Sequence, residues 1–470
     1  MRFGVGLVAT AAGAVAMALA ASDARACGGC FPPPGEQQSV VTDHRMILSV
    51  SKDQSTLYDQ IRYTGQPSEF AWVLPIAGTV EVGLSADTLF GALHNLTAVA
   101  VQEPPRNCPP PPQCDYGEES NDSRGGSFGG AADAAAAPPV QVIKKETVGP
   151  YATVQLASDN PNALTEWLGQ NGYAIPDDIK PVIAQYVSEK FNFLALKLKP
   201  GAGVDSMRPV RVTTKGAGAV LPLRMVAAGT GANVGITLWV VSEGRYEPQN
   251  FPSFLLKNED LTWDWTSGTS DYKDLRAQRS AIDPGRTWEI ESSPTIYRQQ
   301  VESIVTGLGN VQTDIQDYTP IEDEQGNVTK TADQVRKEDL QTVFAGIAQG
   351  AERVTRMRAD LSKAALNVDL QTTASADQSI LENERMPTKE KGQPLCPVYD
   401  GCNQVGTAPR DQAIAQSKAG DGDTFSCKTA KAPSPSSTHA ALGGLGAMLG
   451  IALVRGRRAK KGMLRNGGGS

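Results

Sequence analysis

The chain has 470 residues, is 40% hydrophobic and 20% charged, and carries a formal net charge of −7; this is a globular composition with room for two or three domains. Setting aside the net +1 of residues 1–26 and the net +6 of residues 455–470 leaves −14 for the body between them. A body that acidic argues against nucleic acid or an anionic lipid surface as its partner, because phosphate backbones need the opposite sign.

Residues 1–26 open with Arg2, run through an apolar stretch and end in Ala24-Arg25-Ala26, the small-x-small pattern of a cleaved signal peptide. The mature chain then begins at Cys27. A lipobox would also place a cysteine there, but Arg25 and the missing leucine at position 24 speak against acylation. Prolines 32–34 stiffen the loop that follows.

Within the body (27–376) the expected strands are 44–50 and 57–63, joined at Ser51-Lys52-Asp53, and then 70–76, whose unbroken apolar run predicts cover on both faces. Ser85 should start a helix that buries Leu89, Phe90, Leu93 and Leu96. From 103 to 139 the chain turns to proline, glycine, alanine and acid, which predicts a disordered insertion. A strand is expected over 151–156. Asn160-Pro161 should cap a helix that Gly172 stops, and a second short helix should begin at Pro181. Leu194, Leu196 and Leu198 alternate with Ala195, Lys197 and Lys199 as in a half-buried strand.

Further strands are expected at 210–213, 220–226, 234–241, 261–265 and 287–291, with a helix over 272–281. The glycine-rich run 229–235 lacks the lysine of a phosphate loop and reads as a hairpin turn. Leu340, Val343, Phe344, Ile347, Ala351, Val354 and Leu361 recur at steps of three and four, predicting one amphipathic helix of about 30 residues from Asp333. Strands and helices interleave without strict alternation. The expected fold class is therefore α+β, with a largely antiparallel sheet.

Residues 377–439 are polar and proline-dotted and read as a stalk. Residues 440–454 form an apolar run followed by the basic tail 455–470, the arrangement of a C-terminal membrane or sorting segment with its basic end held in the cytoplasm.

Six of the seven cysteines fall in close pairs, Cys27 with Cys30, Cys108 with Cys114 and Cys396 with Cys402, and local disulfides are the simplest reading for an exported chain. Cys427 is left over, just before the apolar run, and an odd cysteine in an exported chain suggests a reactive thiol, an intermolecular bridge or a modified residue. Neither a nucleophile elbow nor a metal-ligand spacing occurs, so no catalytic residue, metal or cofactor is assigned. His94 reads as a partly buried structural residue. Trp263, Trp265 and Tyr272, near Asp264 and Asp271, could form a stacking platform for sugar, although aromatics two apart on a strand are more often core.

The segments FAWVLPIAG, VGLSADTLFGAL, WLGQNGYAIPDDI, YVSEKFNFLALKL, LPLRM and VTRMRADLSKAALNVDL resemble, in order, the blocks of a bacterial exported family known as domain of unknown function 2330. The resemblance spans residues 27–370; it implies export and a continuous fold and supplies no catalytic residue. Cys427, the spacer after it, the apolar run and the arginine cluster are similar to the C-terminal sorting tails of myxobacterial surface proteins, which implies that Cys427 is the processing or attachment residue of a sorting enzyme. The expectation is an exported, membrane- or surface-anchored envelope protein that binds a polysaccharide or protein, or is structural. Two alternatives stand beside it: an envelope enzyme acting on carbohydrate or peptide through acidic residues, and a redox protein using Cys27 and Cys30.

Overall fold

The computed structural model describes residues 30–31, 41–60, 71–111, 142–173, 175, 177–202, 206–227, 230–311, 315–323, 325–400 and 402–420. The signal segment, Cys27, Cys114, Cys427, residues 112–139 of the insertion and the apolar run 440–454 lie outside the described residues. Among the described residues no helix is long and apolar enough to cross a membrane.

The described residues up to Gln416 form one compact unit. Its main elements in chain order are β1 (Cys30–Phe31), β2 (Val41–Val50), β3 (Gln54–Gln60), β4 (Ala71–Ile76), β5 (Glu81–Leu84), α1 (Asp87–Thr97), β6 (Val142–Val148), β7 (Tyr151–Leu156), α2 (Pro161–Gln170) and α3 (Lys180–Ser188). They are followed by β8 (Asn192–Leu198), β9 (Val210–Lys215), β10 (Thr230–Ser242), β11 (Ser253–Phe254), α4 (Tyr272–Ser280), β12 (Trp288–Ser292), α5 (Arg298–Val311), α6 (Ala332–Val343) and β13 (Arg353–Ser362).

The strands make two principal sheets. The larger runs β11-β12-β13-β10-β2-β3-β9-β5 and the smaller β1-β4-β8-β7-β6. The smaller sheet is antiparallel throughout. In the larger, β10 with β2 and β11 with β12 are parallel and the other neighbours antiparallel, so the α+β class with mostly antiparallel pairing holds.

Side-chain alternation sorts the core into layers. Met46, Leu48, Leu238, Val240 and Met357 meet Trp72, Leu74, Leu194 and Leu196 between the sheets. On the outer face of the small sheet Val73, Phe193 and Ala195 pack under α2 and α3 through Leu164, Leu168, Ile183 and Tyr186. On the outer face of the large sheet Ile47, Tyr58, Trp239 and Val241 pack under α1, α5 and α6. The order is helix, sheet, sheet, helix. β4 thus has both faces covered, as its unbroken apolar run predicts. β8 does too, where alternation predicted one: Ala195 is buried against the helices.

Local chemistry sets several boundaries. Asn160 accepts from the amides of Asn162 and Ala163 ahead of Pro161, and Gly172 takes φ +83° after α2. α1 begins one residue later than its sequence suggests, because Ser85 bonds to Asp339 rather than capping the helix.

Three expectations are corrected. The 30-residue helix is α6 alone, twelve residues long; Gly346 (φ +72°) and Gly350 (φ +83°) break it, and the rest of the periodic segment is β13. Within β13 the sheet period wins: Met357, Ala359 and Leu361 face inward while Val354, Arg356 and Arg358 face out. Gly231 to Gly235 lie inside β10, with a register shift against β2, and not in a hairpin turn. Finally, the described part of the expected stalk, up to residue 420, is folded: Glu384–Arg385 pairs with Ala100–Val101, Lys389–Lys391 pairs with Thr262–Asp264, and Leu395–Asp400 with Asn403–Pro409 forms a hairpin followed by a helix, Arg410–Gly420.

Candidate functional site

The outer face of the large sheet can be read as rows of side chains, because directly paired residues point the same way. One row runs Glu289, Arg358, Thr237, Arg45, Gln60 across β12, β13, β10, β2 and β3. The next runs Arg356, Trp239, Ile47, Tyr58, Arg211 and ends at Gly83. Phe90 of α1 covers Trp239 edge-on at 6.1 Å between ring centres. In the first row Glu289, Thr237 and Gln60 are buried, Arg358 and Arg45 are half-buried, and Gln60 donates to Asp87 of α1.

Trp239 is the hinge between the two rows. The guanidinium carbons of Arg45 and Arg356 stand 5.2 and 5.4 Å from its ring centre, and its Nε1 donates to Thr97 Oγ1 at 2.9 Å. Arg45 also donates to the Phe90 carbonyl. Arg356 donates through Nε to Glu291 and through Nη1 to His94 Nδ1 at 3.1 Å. His94 is exposed on α1. Partial burial, followed by the charges of Arg356 and Arg45, pushes its imidazole down to about 4. It is therefore neutral at pH 7; because arginine only donates, Nδ1 accepts and Nε2 carries the proton.

The acids of this face are answered from one side. Glu289 accepts from Tyr272 Oη at 2.7 Å and from Arg276 Nε at 2.7 Å, both on α4. Its burial, together with nearby Glu291, pushes its carboxyl up. Arg276 also reaches Asp360 at 3.3 Å. Arg358, directly opposite Glu289, is left half-buried with no hydrogen-bond or ion-pair partner among the described residues, and the Thr237 hydroxyl likewise has none.

The other end of the same face is closed. Asp339 of α6 is fully buried and accepts from Ser85 Oγ at 2.5 Å, Tyr318 Oη at 2.8 Å and Arg211 Nη1 at 2.9 Å. Arg211 also bonds Thr342 and Glu338. Gly83 makes the room: a Cβ there would overlap the Arg211 guanidinium. On the inner face, buried His44 lies 3.7 Å from Asp59, and neither ring nitrogen has a hydrogen-bond partner among the described residues.

The residues singled out by sequence are dispersed. Trp263 is buried; Trp265 meets it edge-on at 6.2 Å, donates to Glu390 at 2.9 Å and lies under Arg106; Tyr272 turns to Glu289. They present no common stacking plane. Cys108 bonds Cys396, 288 residues away, with an S–S length of 2.06 Å, so the expected local pairs Cys108 with Cys114 and Cys396 with Cys402 do not form; Cys402 is disulfide-bonded as well. Proximity in sequence misled here, because Ala100–Val101, shortly before Cys108, pairs with Glu384–Arg385, shortly before Cys396. Arg358, Thr237 and Arg45 were missed because only strand register brings them together.

Residues 21–317 match the family described as "Uncharacterized protein conserved in bacteria (DUF2330)". The chain belongs to this family. Within the matched range fall both principal sheets except β13, and the family's description supplies no activity. No match was found among curated proteins. Among solved structures, baculovirus P35 after caspase cleavage is similar at 9% identity and a TM-score of 0.27, covering 70% of this chain and 99% of that one. The caspase-8/P35 complex gives 8% identity and a TM-score of 0.23 over 73% and 96%. Scores this low do not establish a common architecture.

Proposed function

We propose that the chain is an exported bacterial envelope protein whose folded body works by binding rather than by turning over a substrate. The observation that carries the reading is the Cys108–Cys396 disulfide, which closes a loop of 288 residues inside the body and would persist only in an oxidising compartment. The signal-like head and the basic-flanked apolar run near the C-terminus support the same address, with anchoring through the membrane and processing at Cys427 as the finer proposal.

Binding is favoured over acid–base catalysis by what the carboxylates do. Glu289 and Glu291 of β12 are each held by an arginine, and Asp339 is sealed in the core. An envelope polysaccharide or protein remains the proposed class of partner. Cell fractionation combined with intact mass under reducing and non-reducing conditions tests the reading. The expected result is an envelope-associated chain lacking residues 1–26, with Cys108 and Cys396 oxidised; a cytosolic, full-length and fully reduced chain would overturn it.

A further inference from the structure

We propose that the outer face of the large sheet holds a site for one oxyanion group, a phosphate or a carboxylate, cradled by Arg358, Thr237 and Arg45 with His94 at its edge. This deepens the binding reading above and is independent of where the chain resides.

The row supplies three donors on adjacent strands: Arg358 on β13, Thr237 on β10 and Arg45 on β2. Strands about 4.8 Å apart put the two arginine Cα atoms roughly 10 Å from one another with the threonine hydroxyl between them. Arginine side chains are long enough to converge over that hydroxyl, and their planar forks match the paired oxygens of phosphate and carboxylate. Arg45 has other engagements, to Phe90 and over Trp239, which orient it. Arg358 is the charge left over.

Its acid neighbours are already committed. Glu289, directly beside it, is held by Tyr272 and Arg276, Asp360 by Arg276, and Glu291 by Arg356. A half-buried guanidinium and a buried hydroxyl side by side, without partners among the described residues, are what an incoming anion would satisfy. Neutral His94 adds an Nε2–H donor and no repelling acid. The net negative charge of the body works against polyanions and extended anionic surfaces, whose field extends beyond one Debye length, more than against one group seated at contact distance.

Calorimetric titration of the purified full-length chain with inorganic phosphate and with glucuronate, each at low and physiological salt, tests this. One-to-one binding of at least one probe is expected, weakened by salt, weakened tenfold or more in Arg358→Ala and several-fold in Thr237→Val, and unchanged in Lys180→Ala, an exposed lysine on α3. Which probe wins separates phosphate from carboxylate. Absence of binding by both at millimolar concentration overturns the site, as does binding that Arg358→Ala leaves intact or binding confined to phosphatidylglycerol vesicles. If Arg358→Ala does not fold, Arg358→Gln and Thr237→Val carry the comparison. A cytosolic chain that still binds through Arg358 would remove the envelope reading and leave this site; an exported chain that binds neither probe would do the reverse.

Discussion

Arg211 and Arg358 stand near opposite ends of one sheet face and live by different rules. Arg211 is buried beneath α6 and meets Asp339, Glu338 and Thr342, in a knot whose central carboxylate has a donor for each oxygen. Arg358, four strands away in the order of the sheet, has a carboxylate directly opposite and no share in it, because α4 takes Glu289 for itself. A buried charge with all its partners present fixes architecture. A half-buried charge left without one is where a fold keeps capacity for something outside itself.

The largest expected effect comes from breaking the closed end. Asp339→Ala should destabilise the unit by about 3–5 kcal/mol, since it leaves Arg211 desolvated and orphans Ser85 and Tyr318. Pairing it with Arg211→Met should recover much of that loss, because an apolar pair of similar volume removes the buried charge along with its partner. Urea unfolding of the two variants measures both. A loss below about 1 kcal/mol for the single variant would mean that the knot is not holding α6 to the sheet.

His94 sharpens the comparison from the open end. Its imidazole is depressed to about 4 in the folded chain against about 6.5 unfolded. The unfolded state therefore takes up a proton first as pH falls through 6.5, and stability is lost between there and about pH 4. Because the ring is exposed, solvent screening should cut the effect to about 1–2 kcal/mol. His94→Gln should flatten this part of the stability profile. In proton NMR the ring should titrate near 4, and Arg356→Ala should move that midpoint back toward 6.5; a wild-type midpoint near 6.5 would remove the local positive field on which the open row depends.

How much of this could be read from residues alone depended on range. β7, α2 and α3 were legible because each carries its own signal: strict alternation in Tyr151–Leu156, Asn160-Pro161 at a helix start, Ile183 with Tyr186 and Val187 on one helical stripe. The segment 340–361 failed for a local reason. Its apolar residues satisfy a helical period across Gly346 and Gly350, whose positive φ ends the helix, and beyond them Arg356 and Arg358, two apart between Val354 and Asp360, were the sign of a strand with a polar face. Read as helix, that face could not be recognised. The rest was out of reach in principle, since the row of Arg358, Thr237 and Arg45 is assembled by pairing strands more than 100 residues apart, and the Cys108–Cys396 link by chain ends that only the fold brings together.

The independence of the two ends can be tested through the helix that carries Asp339. Thr331 caps α6 with a reciprocal bond from Gln334, and Thr331→Ala should cost about 1 kcal/mol by fraying its first turn. It should leave the His94 midpoint and anion affinity unchanged, as expected for sites without shared partners. A shift in either would show that the closed end governs the open one.

The smallest effect is the most specific. Glu289→Gln keeps the volume and an acceptor for Tyr272 and Arg276 while removing the one negative charge directly beside Arg358. Burial already pushes that carboxyl up, so its loss should alter stability by less than about 1 kcal/mol. Anion affinity should rise two- to fivefold, roughly 0.4–1 kcal/mol, as Arg358 is freed from a residual attraction. The opposite sign, weaker binding, would mean that Glu289 orients Arg358 rather than competing for it, and the unpartnered arginine would then belong to the same closed kind of structure as Arg211.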